Sequence, residues 1–94
     1  MANPKVSICC PAYNCEKFIK ETVKSFLNQS FNDIEILISD DCSSDNTIKI
    51  IKENFTDVRI KLFEQNINLG PSDNADFLLK LQLLIILPCA QVMM

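Results

Sequence analysis

Histidine is absent from the 94 residues and glycine occurs once. Without histidine there is no imidazole base for a Ser-His or Cys-His nucleophile. Nor is there a histidine to join the cysteines in a mixed zinc set. The five cysteines (Cys9, Cys10, Cys15, Cys42 and Cys89) are odd in number and none stands in a C-x-x-C spacing, which argues against a disulfide framework. The single glycine excludes the glycine-rich phosphate loops, both G-x-G-x-x-G and the P-loop. Basic residues are the minority, nine against twelve acidic, and they form no block or stripe. That speaks against a nucleic-acid partner and against electrostatic docking on an anionic membrane. Long apolar runs are missing too. The most apolar stretch, residues 77–94, is broken by Lys80, Gln82, Pro88 and Gln91, so no transmembrane segment is expected. The opening MANPKVSICC shows no secretory signal pattern, and a cytoplasmic location is the expectation.

What remains is a composition that folds. Hydrophobic residues make up 48% and charged ones 22%, enough apolar surface for one domain of modest stability. VSICC at residues 6–10 is a short β-prone run ended by Pro11, and its unbroken apolarity suits a strand covered on both faces. A helix is expected over 15–28, with Asn14 as its N-cap. There Phe18, Thr22 and Phe26 form one row and Ile19, Val23 and Leu27 the row beside it. IEILIS at 34–39 reads as a central strand. Ser43, Ser44 or Asp45 then caps a helix that runs to about Asn54. VRIKLF at 58–63 alternates and reads as a strand nearer the edge. Gly70-Pro71 opens a third helix, and 83–87 is the expected fourth strand. Strand and helix alternate as β-α-β-α-β-α-β. The fold class is therefore α/β, a three-layer Rossmann-like parallel sheet with strand order 3-2-1-4.

Ligands of open parallel sheets sit beyond the carboxyl ends of the strands. There the first strand delivers Pro11-Ala12-Tyr13-Asn14 and the second delivers Asp40-Asp41. Tyr13 offers a ring that can stack on a base. An ionised Asp41 can only accept, so it suits a base N–H. The helix N-termini near Asn14 and Ser44 offer N–H groups to an anion. Adjacent carboxylates in extended chain point to opposite sides. Asp40 and Asp41 therefore do not form an acid/base dyad: one faces the ligand while the other orients the following turn. Cys9 and Cys10 read as small buried hydrophobes, whereas Cys15 and Cys42, at element ends, read as the more reactive thiols. A phospho-acceptor receiver domain also uses paired acids, but it needs them after the first strand.

Several ordered stretches resemble the opening of family 2 glycosyltransferases of the GT-A fold. They are Pro11-Ala12-Tyr13-Asn14, Leu27-Asn28-Gln29-Ser30-Phe31, Glu35 to Ile38, Asp40-Asp41-Cys42-Ser43-Ser44-Asp45 and Asn68-Leu69-Gly70-Pro71-Ser72. The resemblance covers about residues 5–75. It implies transfer of a sugar from a nucleotide-sugar donor, a UDP-sugar, to an acceptor hydroxyl, usually with inversion. It also implies a nucleotide site made of Pro11 and Tyr13 lining the base pocket, Asp41 on the base (uracil), Asn14 and Glu16 supporting the loop, and Asp40 beside them. The family holds Mg²⁺ or Mn²⁺ on an acidic motif after its fourth strand, and its base lies later still. No acid follows Asp76 here, and 82–94 is atypical. The chain is thus expected to be an N-terminal portion of a GT-A domain. It should lack the metal site and the catalytic base and be inactive in transfer by itself. The alternative is a non-catalytic module that forms a homo-oligomer through exposed apolar residues such as Ile85 and Leu87.

Overall fold

The computed structural model describes residues 6–29, 33–81 and 85–86. In chain order the elements are β1 (Val6–Ala12), α1 (Ile19–Leu27), β2 (Ile34–Asp40), α2 (Thr47–Asn54), β3 (Ile60–Glu64), α3 (Pro71–Leu81) and β4 (Ile85–Ile86). The alternation makes an α/β fold, as its spacing predicts. All pairings are parallel and the sheet runs β3-β2-β1-β4. Of the expected strand over 83–87, Ile85 and Ile86 fall among the described residues and the rest lies outside them. The apolar patch expected from Ile85 and Leu87 likewise lies outside the described side chains.

β2 shows why its sequence is nearly all apolar. Each of its seven residues is buried, because helices cover both faces of the sheet. Even-numbered residues of β1 and β2 (Ile8, Cys10, Ala12, Ile34, Ile36 and Ile38) pack beneath Ile19, Val23 and Phe26 of α1 and Ile51 of α2. On the opposite face Cys9 and Leu37 pack with Leu78 of α3, joined by Phe63 and Phe77. The rings of Phe63 and Phe77 meet edge to face at 5.5 Å, a favoured aromatic geometry. The polar exceptions on this face are satisfied. Ser7 Oγ donates to the Glu35 carboxylate at 2.5 Å, and Lys61 Nζ lies 3.6 Å from its other oxygen.

Several expected boundaries move, among them those of two strands. The strand of Val6 runs through Pro11 to Ala12 instead of stopping at the proline. Val6 N donates to Asp33 O and Ala12 O accepts from Asp41 N, so even-numbered residues of β1 bond to β2. Odd-numbered Pro11 faces the other way, toward β4, whose described residues pair with Ile8 and Cys9. β3 starts at Ile60 and not Val58, which is 90% exposed. Asp57 ties up that segment by accepting from Arg59 N at 2.9 Å and pairing with the guanidinium.

Candidate functional site

The carboxyl edge of the sheet carries three loops: 13–18 after β1, 41–46 after β2 and 65–70 after β3. Two turn corners there take the left-handed backbone that most L-residues avoid. Asn14 has φ 48° and Cys42 has φ 61°. Asn14 therefore does not cap α1, which begins at Ile19 with Phe18 before it and no side-chain cap. Its side chain serves the neighbouring loop. Asn14 Oδ1 accepts from Ser44 N at 2.8 Å, with Asp45 N at 3.4 Å, and Asn14 N donates to Ser43 Oγ at 2.8 Å.

The same seam continues through Glu16 and Cys15. Glu16 N donates to Asp45 Oδ2 at 3.1 Å, while Glu16 Oε1 accepts from Asn46 N at 3.1 Å. Cys15 N donates to Thr47 Oγ1 at 3.0 Å, and Cys15 is buried rather than exposed at the edge. Asp45 Oδ1 accepts from Thr47 N at 3.0 Å and from the Thr47 hydroxyl. Burial alone would push the Asp45 carboxyl up. The hydrogen bonds from Thr47 and Glu16 outweigh it and hold the group below its ordinary value. One expectation is corrected here. The N–H groups of Ser44, Asp45 and Asn46 before α2, and of Thr47 at its first position, are met by Asn14, Glu16 and Asp45. They are not left open for an anion.

Asp40 and Asp41 do point to opposite sides. Asp40 is fully buried. Its Oδ2 accepts from Ser43 N at 2.9 Å and its Oδ1 from Ser43 Oγ at 2.7 Å, so it orients the following turn. Asp41, 3% exposed, turns toward the third loop. Its Oδ1 accepts from Leu69 N at 2.6 Å and its Oδ2 from Gly70 N at 2.9 Å. Asn68 Nδ2 donates to Asp41 O at 3.3 Å. Gly70 holds φ 90°, a conformation that glycine adopts without strain.

The structure thus brings Asn14, Glu16 and Asp40 into one hydrogen-bonded seam and places Asp41 at its border with the third loop. Pro11 is half-buried just inside the edge, and Tyr13 presents its ring to solvent at 52% exposure. Ser39, Gln65 and Asn74 also join the edge and were not singled out by the sequence. Ser39 Oγ donates to Asn74 Oδ1, Asn74 Nδ2 donates to Ser39 O, and Gln65 Nε2 donates to Ser39 Oγ. The signal that could have found them is a polar Asn four residues before Leu78 on the buried stripe of α3.

Among the described residues no three Cys, Asp or Glu side chains gather where they could hold a cation. The oxygens of Asp40, Asp41 and Asp45 are instead directed at N–H and O–H donors.

A parallel sheet covered on both faces, with its loops tied together at the carboxyl edge, defines a Rossmann-like α/β protein. Within that class the chain belongs to glycosyl transferase family 2, whose model matches residues 7–81. It is 42% identical over 73 residues to a chondroitin synthase of Escherichia coli, covering 76% of this chain and 11% of that protein. It is 41% identical over 73 residues to the GalNAc(5)-diNAcBac-PP-undecaprenol beta-1,3-glucosyltransferase of Campylobacter jejuni, covering 76% of this chain and 24% of that one. Among solved structures, S. aureus TarS 1–349 in complex with UDP-GlcNAc superposes with a TM-score of 0.80 at 28% identity, covering 90% of this chain and 26% of that one. The chain spans about a quarter or less of the length of these relatives.

Proposed function

We propose that this chain supplies the base-binding edge of a glycosyltransferase that moves a sugar from a UDP-sugar to an acceptor hydroxyl. One observation carries the reading: an exposed aromatic ring, Tyr13, directly follows Ala12, whose carbonyl accepts from Asp41 N at 2.8 Å, on a hydrogen-bonded edge. The likeness to TarS, solved with UDP-GlcNAc, supports it. Tyr13 stacks on the base, and half-buried Pro11 forms the floor of the pocket. An ionised carboxylate offers about four lone-pair positions. Leu69 and Gly70 use two of those on Asp41, which leaves acceptor capacity for the N3–H of uracil. Asn14 and Glu16 hold the Tyr13 loop in place, and Asp40 holds the turn that Asn14 grips.

The N–H groups before α2 are consumed by side chains, and among the described residues no carboxylate cluster fits a divalent cation. When bound, Mg²⁺ or Mn²⁺ stabilises the departing diphosphate as a Lewis acid. We infer that by itself the chain binds nucleotide weakly and does not transfer sugar.

Calorimetric titration with UDP, with and without Mn²⁺, tests the reading. Metal-independent binding is expected, with CDP weaker because cytosine has no N3–H to donate. Tyr13→Ala should weaken UDP by roughly 5- to 150-fold, the range of one base–aromatic stack at about 1–3 kcal/mol. Its melting temperature should change little, because the ring is largely exposed. Heat indistinguishable from buffer at millimolar UDP overturns base binding. Robust sugar transfer by the chain alone overturns the claim of inactivity.

A further inference from the structure

We propose that Asn74 is a positioning residue for the carboxylate of Asp41, and through it for the base. The inference rests on the reading that Asp41 meets the base. Asn74 is 2% exposed and Ser39 is fully buried. Asn74 Nδ2 donates to Ser39 O at 2.9 Å, and Asn74 Oδ1 accepts from Ser39 Oγ at 2.5 Å. Ser39 Oγ in turn accepts from Gln65 Nε2 at 3.1 Å. A hydroxyl has one proton to give, so these bonds fix both the hydroxyl rotor and the orientation of the Asn74 amide.

From this anchor a closed path leads to Asp41. Asn74 N donates to Gly70 O at 2.9 Å. Gly70 N and its neighbour Leu69 N donate to the two oxygens of Asp41. Ser39 and Asp41 stand two positions apart at the end of β2, and alternation puts both on the face that α3 covers. The path from Ser39 to Asn74, Gly70 and Asp41 therefore begins in β2 and ends on the residue that directly follows it. The Gly70 and Leu69 amides cannot shift without moving the first turn of α3, and Asn74 holds that turn. A leucine here would pack α3 on the sheet without any such directional constraint.

The test compares Asn74→Ala with the pair Ser39→Ala/Asn74→Ala. Replacing both partners of a buried polar pair can be nearly neutral for stability, whereas removing one leaves the other unsatisfied. Three quantities are read on each: melting temperature, UDP affinity, and hydrogen exchange at the Leu69 and Gly70 amides. We expect Asn74→Ala to melt lower, to bind UDP roughly tenfold more weakly, the equivalent of about one hydrogen bond, and to exchange both amides faster. The double variant should recover melting temperature while UDP binding stays weak and exchange stays fast. That split is what a purely packing role would not give. Wild-type UDP affinity and protected amides in either folded variant overturn the proposal. If the wild-type chain binds no UDP, the base reading fails instead, and the exchange data still decide whether Asn74 positions the donors to Asp41.

Discussion

Asn14 is the corner on which the seam between the first two loops turns, and its substitution makes a sharp test because two effects oppose each other. Its backbone sits at φ 48°, and its side chain accepts one well-formed bond, from Ser44 N at 2.8 Å. Asn14→Gly removes the bond and keeps a relaxed backbone. Asn14→Ala removes the bond and also forces an L-residue into the left-handed region. The lost bond costs about 0.5–1.5 kcal/mol in both. The left-handed backbone costs alanine about 1–2 kcal/mol more. Glycine gives back about 0.5–1 kcal/mol through the greater freedom of its unfolded chain. Glycine should therefore be the more stable of the two by roughly 0.5–1 kcal/mol, or about 2–8 °C in melting temperature for a domain of this size. At an ordinary backbone angle the order reverses, since alanine is then preferred. Thermal and urea unfolding of the two variants side by side reads the sign directly. An alanine variant as stable as the glycine variant, or more so, would refute the assigned backbone strain.

Two further outcomes follow from the edge. The Asp45 carboxyl is held below its ordinary value, so its contribution is present above the unfolded-state pKa, about 3.9, and is lost as pH falls through the lower folded-state value. The stability gap between wild type and Asp45→Asn should accordingly be full at pH 7 and shrink below about pH 4. A gap that is unchanged at pH 3 sinks the assignment. Cys42 is exposed while Cys9 and Cys10 are buried. Burial, and then the charge of Glu35, push the Cys9 thiol up. Alkylation of the native chain, followed by peptide mass spectrometry, should mark Cys42 and spare Cys9 and Cys10 until denaturant is added. Modification of Cys9 at the rate of Cys42 would contradict the packing.

Much of the frame was legible because it is written in local patterns. The apolar run of β2, most of the rows on α1 and the Pro71 start of α3 each sit inside one element, although Phe18, the first residue of its row, precedes α1 and is 43% exposed. The opposed directions of Asp40 and Asp41 followed from strand alternation alone. What escaped depends on residues about one βα unit apart. Asn14 looks like a helix cap in sequence. It turns instead into the left-handed region and spends its side chain on Ser44, 30 positions away. The N–H groups before α2 look open to an anion until Glu16 and Asn14 are known to reach them from the first loop. Asn74 looks like an ordinary polar residue of a helix until Ser39, 35 positions earlier, is placed beneath it. Val58 alternates correctly with its neighbours, yet the turn made by Asp57 and Arg59 holds it outside the sheet.

The long span of these ties also bears on the order in which the molecule can assemble. The side-chain hydrogen bonds that join the three edge loops to one another, and those from the third loop and α3 back to β2, link residues 24 to 35 positions apart. Closing a flexible segment of about 30 residues costs on the order of 3 kcal/mol before any contact repays it, and no single bond in the seam returns that much. The edge is therefore not a nucleus. It closes after the apolar faces of β1 and β2 have already docked their helices, and on a growing chain the ring around Asp41 must wait for Asn74 to be made.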